Sequence, residues 1–332
     1  MQKLIFTLLV SFALSMIVGP FIIPWLKRLK VGQTINPFGP KSHVGKQGTT
    51  TMGGLVFIAA SVIASLIFID YTGAKGQFVW IQLLCMLSFA LIGFVDDYIK
   101  VVKRRSEGLT PKQKLFPQFV FAVGISMIAY FHPMIGSRLL VPFTKHEINL
   151  GIFYIPFMVV VIVGVVNSAN LLDGLDGLCA GSSMIDFGTF ALIALSLSAA
   201  NGEIDADLYN TAIFSGALCG ALLGFLRFNT YPASVIMGDV GSFAVGGALV
   251  GAAIVTRLTL ILPIIAFAMM ISSISDILQV LYIRCTHGRR LFRMAPLHHH
   301  FELSGIPETK IVTMYDIMTA LLCLLALAGF AG

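Results

Sequence analysis

Charged residues are scarce in this chain: Asp, Glu, Lys and Arg make up 11% of its 332 residues, against about 25% in soluble domains. With 57% of the residues hydrophobic, that charge is too little to solvate the exterior of a soluble protein of this size. A soluble enzyme, a disordered chain and a single anchor carrying a large soluble domain are excluded on that ground. Patterned cysteine is missing too. Cys85, Cys179, Cys219, Cys285 and Cys323 are odd in number, far apart and mostly inside apolar runs. No CxxC or Cys/His ligand spacing occurs, so neither a disulfide framework nor a zinc site is indicated. Also absent are GxxxxGK[ST] and GxGxxG, which removes the ordinary soluble nucleotide-binding folds.

Apolar sequence is what the chain has in excess. A bilayer span takes about 20 apolar residues, and ten such segments are readable at 4–26, 52–69, 77–95, 115–131, 152–172, 180–199, 210–226, 240–256, 260–283 and 311–330. They predict an all-α polytopic membrane protein of about ten transmembrane helices, with residues 1–332 forming a single integral-membrane domain. The eighth and ninth segments, which meet around Arg257, must be separate spans, because one helix of that length would overshoot the bilayer. The first is too long for a signal-peptide core and is expected to stay.

Lys and Arg fall on alternate connections. The stretches 27–51, 99–114, 173–179, 227–239 and 284–310 hold 17 of the 22. The positive-inside rule places these in the cytoplasm and both termini outside. The net charge of +6 is then a topology signal, and no nucleic-acid partner is expected. On the opposite side, residues 132–151 read as a short outer hairpin, and Glu203, Asp205 and Asp207 as solvated turn residues.

Four polar clusters break the apolar pattern, each after an odd-numbered span and therefore all on one membrane face. They are Asp96-Asp97, the stretch Asn170-Leu-Leu-Asp173-Gly-Leu-Asp176-Gly, the stretch from Asn229 to Asp239-Val-Gly-Ser, and Pro296-Leu-His298-His299-His300-Phe-Glu302. Ionisable groups at membrane depth are costly and mark function. Adjacent Asp residues on a helix point about 100° apart, so Asp96 and Asp97 are not expected to aim at one atom; an interfacial pairing with Lys100 competes with a site role. Asp173 and Asp176 alternate with glycines that permit tight turns and close backbone approach to a ligand. Three consecutive imidazoles cannot share one ion, although one or two can donate to a phosphate. Oxygen-rich carboxylates suit Mg²⁺, and Lys and His donors suit a transferring phosphoryl group. A lipid phosphate entering laterally and a soluble nucleotide entering from the cytoplasm would meet at such a site.

At these residues the chain resembles the polyprenyl-phosphate N-acetylhexosamine-1-phosphate transferase superfamily, and within it the branch of phospho-N-acetylmuramoyl-pentapeptide transferases. Thr49-Thr-Thr-Met-Gly-Gly-Leu, Asp96-Asp97, Asp173-Gly-Leu-Asp176-Gly-Leu and Met237-Gly-Asp239-Val-Gly-Ser carry the likeness over nearly the whole chain. The histidine run is the most branch-specific. The resemblance implies transfer of phospho-N-acetylmuramoyl-pentapeptide from its UDP conjugate to undecaprenyl phosphate. Lipid I and UMP would be the products, Mg²⁺ the cofactor and the bacterial inner membrane the location, with the site on its cytoplasmic side.

By the same resemblance, Asp239 would hold Mg²⁺, Asp96 would deprotonate the lipid phosphate, and Asp97 would support the metal or the nucleophile. Asp173, Gly174, Leu175 and Asp176 would line the uridine pocket, with Asn170 and Asn229 fixing polar groups there. Lys46, Lys100 and Lys112 would neutralise phosphates. His298 and His299 would contact the diphosphate or the sugar-peptide, with His300 beside them. Ile236 stands where many relatives carry Phe, which puts stacking on the uracil in question. Lys103-Arg104-Arg105 reads as a positive-inside anchor. Asp276 with Gln279 would border the groove, and Asp186 has no assignment. The polar-poor outer faces of the spans permit a homodimer. Two other readings stand: a sister transferase using UDP-N-acetylglucosamine, and a secondary transporter.

Overall fold

The computed structural model describes residues 1–28, 48–71, 76–103, 108–144, 146–200 and 204–330. Its long helices are α1 (Gln2–Arg28), α3 (Gln77–Lys103), α4 (Pro111–Phe131), α5 (Tyr154–Leu172), α6 (Leu178–Ala199), α7 (Ala206–Asn229), α8 (Gly238–Val255), α10 (Phe267–Cys285) and α12 (Glu308–Ala328). The shorter ones are α2 (Gly54–Phe68), α9 (Leu262–Ile265) and α11 (Leu297–Leu303). Among the described residues nine helices are long and apolar enough to cross a membrane, and α2 supplies the tenth apolar segment with 15 residues. The chain is an all-α, multi-pass membrane protein. All ten expected segments are helical. The ninth is broken at Ala266, where ψ turns to 32° and divides it into α9 and α10.

Helix α8 is the axis of the bundle, with 89% of its most apolar window buried. It can be central because it is small-faced: Gly246, Gly247 and Gly251 let neighbouring backbones close on it. A Cβ on Gly247 would stand 2.5 Å from the Cys85 carbonyl of α3, and one on Gly246 would stand 2.6 Å from Val166 Cα of α5. Close backbone approach by small residues is how membrane helices gain van der Waals contact where lipid offers no hydrophobic drive between helices.

The hairpin expected over 132–151 is present as β1 (Arg138–Leu140) and β2 (Glu147–Asn149), antiparallel with Leu139 opposite Ile148. It is pinned to the bundle at Arg257, whose carbonyl accepts from Leu140 N–H at 2.9 Å and whose guanidinium meets Glu147 at 3.0 Å. The acids before α7 divide in role. Asp205 caps the helix, accepting from Asp207 and Leu208 N–H. Asp207, expected to be a solvated turn residue, is instead 7% exposed and accepts from Gly76 N–H at 2.6 Å. It ties the start of α3 to α7. Glu203 lies outside the described residues.

Candidate active site

The C-terminal turns of α3 carry Asp96, Asp97 and Lys100, and the first turn of α8 carries Asp239. The two helices meet here because Gly93 has no side chain: a Cβ would collide with the Asp239 carbonyl oxygen. Asp239 lies 15% exposed among cations and an amide. Lys100 Nζ approaches its Oδ2 at 2.9 Å and Lys114 Nζ, from α4, at 2.8 Å. Asn170 Nδ2, at the end of α5, donates to its Oδ1 at 2.8 Å and to Ser242 Oγ at 3.0 Å. Lys114 also rides 5.4 Å above the Phe243 ring, a cation–π contact that helps fix it.

Asp96 and Asp97 do converge on one atom, contrary to the helix-angle expectation. Lys100 Nζ stands 2.7 Å from Asp96 and 3.4 Å from Asp97, since a long side chain at i+3 and i+4 reaches both. The two acids are otherwise unalike. Asp97, 2% exposed, accepts from Val240 N–H at 3.1 Å and so holds the N-terminus of α8, where negative charge is favoured. Gly238 makes room for it at φ 76°, since a Cβ there would sit 2.6 Å from Asp97 Oδ2. Asp96 is fully buried. Its Oδ1 accepts from Leu109 N–H at 2.8 Å, while Oδ2 has charge contact with Lys100 and Lys114 and no aligned hydrogen-bond donor. Asp96, Asp97 and Asp239 each bring a carboxylate oxygen within 4.8 Å of one another, the metal-sized acidic cluster among the described residues.

Segments remote in sequence build the floor. Residues 50–54 run beside 235–237: Ile236 N–H donates to Thr50 O, and Gly53 and Gly54 N–H donate to Ile236 and Met237 carbonyls. Next to this lies the Asp173–Gly177 loop, closed onto α6 by Gly177 at φ 81°. Burial and the nearby Asp239 and Asp97 carboxylates push the Asp173 carboxyl well above the usual carboxylate range, against a hydrogen bond from Gly238 N–H. Leu175 is buried, and Asp176 accepts from Ala233 N–H at 2.9 Å. The ring nitrogens of His298 and His299 crowd the position where Gly174 lacks a Cβ, so only glycine brings that loop against α11. His299 is oriented from behind by Glu302, at 3.0 Å from Nδ1. His300 turns elsewhere and accepts from Arg293 N–H.

The sequence relationships match this geometry. The family model for glycosyl transferase family 4 matches residues 79–257, the stretch from α3 through α8. The phospho-N-acetylmuramoyl-pentapeptide-transferase of Caldanaerobacter subterraneus is 46% identical over 318 residues, covering 96% of each chain. Those of Halalkalibacterium halodurans and Clostridium perfringens are each 42% identical, covering 98% of this chain and 97% and 98% of their own. The chain belongs to the phospho-N-acetylmuramoyl-pentapeptide-transferase family. It is a transferase.

Within this transferase, several expected residues sit apart from the cluster. Lys112 is exposed, while Lys114, not singled out from sequence, occupies the place between Asp96 and Asp239. Lys46 lies outside the described residues. Asn229 is buried and donates to Val235 O at 3.0 Å, bracing the 229–235 loop, and Asn170 serves the carboxylate cluster. Gln279 clasps the backbone of Leu291 and Phe292 through three hydrogen bonds. Asp276 lines a cavity of about 580 Å³ between α5 and α10, otherwise walled largely by apolar residues such as Phe157, Val161, Leu260 and Met270. Asp186 is fully buried on α6, its Oδ1 met by Cys323 Sγ at 3.8 Å.

Proposed function

We propose that this transferase moves phospho-N-acetylmuramoyl-pentapeptide from UDP to undecaprenyl phosphate, yielding UMP and lipid I for peptidoglycan. The observation that carries the proposal is the convergence of Asp96, Asp239, Lys100, Lys114 and Asn170 at the ends of four apolar helices. That arrangement suits an anionic lipid head meeting a diphosphate. A phosphate oxygen of the lipid attacks the β-phosphorus of the UDP-sugar. A new P–O bond forms as the bond from that phosphorus to the bridging oxygen breaks, and UMP leaves with the oxygen. Asp96, with one oxygen lacking an aligned donor, takes the proton of the lipid phosphate. Asp97 keeps Asp239 in register through the N-terminus of α8. Lys100 and Lys114 transfer their charge from carboxylates to the entering phosphates, lowering the cost of developing negative charge. His298 and His299 face the donor across Gly174, and Asp173 to Asp176 with Ile236 border the uridine.

The donor set fits Mg²⁺: three hard carboxylate oxygens lie close together, with Asp239 partly open to solvent. Asp239 would hold the ion, with Asp96 or Asp97 in support. An ion held there would supply positive charge to offset the negative charge of the phosphates. A direct displacement is favoured over a phospho-sugar enzyme, because Asp97 and Asp239 are engaged by backbone, ammonium and amide donors and make poor nucleophiles, while Asp96 serves as the base. The cavity between α5 and α10 takes a part of the isoprenoid chain, along the helix whose last turn carries Asn170. The cluster faces the cytoplasm of a bacterial inner membrane, with both termini outside, and the apolar outer faces accommodate a homodimer.

Mg²⁺-dependent UMP release in detergent tests the proposal. UDP-N-acetylmuramoyl-pentapeptide with undecaprenyl phosphate should give UMP and a lipid-linked product, and Asp96→Asn and Asp239→Asn should abolish both. Equal turnover of UDP-N-acetylglucosamine would point to the sister reaction instead. A labelled phospho-sugar trapped on the protein without lipid would replace the direct attack.

A further inference from the structure

Asp176 is held at both ends. Its side-chain Oδ2 accepts from the backbone N–H of Ala233 at 2.9 Å, and its own N–H donates to Glu308 Oε1 at 2.6 Å. Glu308 is the first residue of α12, more than 130 positions away in sequence. Three connections are therefore joined through two carboxylates: the 173–177 loop, the 230–236 loop and the turn entering α12. The 230–236 loop runs on into Ile236, whose N–H is fixed by Thr50 O at 2.8 Å, and then into Asp239. Hydrogen bonds to a carboxylate are shorter and stronger than neutral ones, and Asp176 is only 8% exposed, so little water stands ready to replace Glu308.

From this geometry we infer that Glu308 is a positioning residue for the nucleotide pocket, acting through the Asp176 backbone on the 173–177 and 230–236 loops. The inference rests on the reading above in which those loops border the uridine. The carboxylate and lysine cluster is carried by α3, α4, α5 and α8, so loss of Glu308 from α12 should loosen the pocket while leaving that cluster in place. Donor binding should suffer, and the chemical step and acceptor binding should not.

The test uses the full chain in detergent with Mg²⁺. Three variants, Glu308→Ala, Glu308→Gln and Lys310→Ala, are compared with wild type for donor KM, undecaprenyl phosphate KM, kcat and UMP affinity by calorimetry. Lys310→Ala, an exposed side chain in the same first turn of α12, is the control. Glu308→Ala should raise donor KM and UMP Kd about tenfold, with kcat and acceptor KM within twofold. Glu308→Gln keeps an oxygen to accept from Asp176 N–H and should recover most of the loss. Hydrogen exchange read on peptides spanning 174–178 and 230–236 should speed up in Glu308→Ala alone. Unchanged donor KM and UMP Kd in Glu308→Ala would overturn the inference. So would a parallel fall in kcat, both KM values and thermal stability, which would mark a general loss of folding. A wild type that turns over but binds no UMP would overturn the pocket reading, and this inference with it, whereas a wild type that binds UMP as tightly as Glu308→Ala overturns only the role of Glu308.

Discussion

Replacing Lys114 by Gln tests whether the lysine pair, rather than the carboxylates alone, carries the phosphate charge. Lys114 Nζ stands 2.8 Å from Asp239 and 3.3 Å from Asp96, with its side chain 21% exposed. Two unit charges at 2.8 Å attract by about 6 kcal/mol at an effective dielectric of about 20. Solvent screening at a one-fifth exposed ammonium, and Lys100 sharing the same carboxylate oxygen, reduce what the single lysine contributes. We take about half, about 3 kcal/mol, as the transition-state stabilisation lost when the phosphate no longer meets this charge. That corresponds to a fall in kcat of about 10²-fold. Lys112→Gln, two positions away and pointing into solvent, should stay within about threefold of wild type. The assay is UMP release at saturating donor, acceptor and Mg²⁺, with thermal unfolding as a check that each variant is folded. A folded Lys114→Gln enzyme within threefold of wild type would refute the reasoning, as would equal damage from Lys112→Gln.

Gly93→Ala drives a methyl group into the Asp239 carbonyl and should cost about 1–3 kcal/mol of stability by overpacking, with at least a tenfold loss of activity; unfolding and UMP release measured together check it. Asp186 has no cationic partner among the described residues and lies fully buried, so Asp186→Asn should leave activity near wild type and melt at an equal or higher temperature. Asp173 has a raised pKa in the folded state. Its contribution to stability is complete below the ordinary carboxylate value of 3.8 and is lost as pH rises towards the folded value. Asp173→Asn should therefore gain on wild type in melting temperature between about pH 4 and the folded-state value, and a constant difference across that window would count against the burial argument.

How far the sequence carries such predictions depends on the range over which each feature is specified. The spans were legible because a bilayer demands long continuous apolar runs, and the shared face of the acidic clusters followed from counting them. Lys112 and Lys114 were separable in principle. Gln118, Ala122, Ile125, Ser126 and Ala129 form the buried face of α4, and stepping back four residues from Gln118 along that face lands on Lys114. A residue two earlier points about 200° away, which is why Lys112 faces solvent. The convergence of Asp96 and Asp97 escaped the helix-angle argument because that argument fixes where Cβ atoms point and ignores the reach of a flexible ammonium at i+4. Asp207 and Glu308 lay beyond local reasoning for a different reason. Each satisfies a backbone N–H presented by another segment, and no periodicity announces where an unpaired donor will arrive. In a membrane protein with so few carboxylates that gap is narrow, because burying a carboxylate without a donor is expensive. Each acid that is neither at the cluster nor in water must therefore be answered by a donor elsewhere in the chain, and finding that donor identifies which loops the acid holds together.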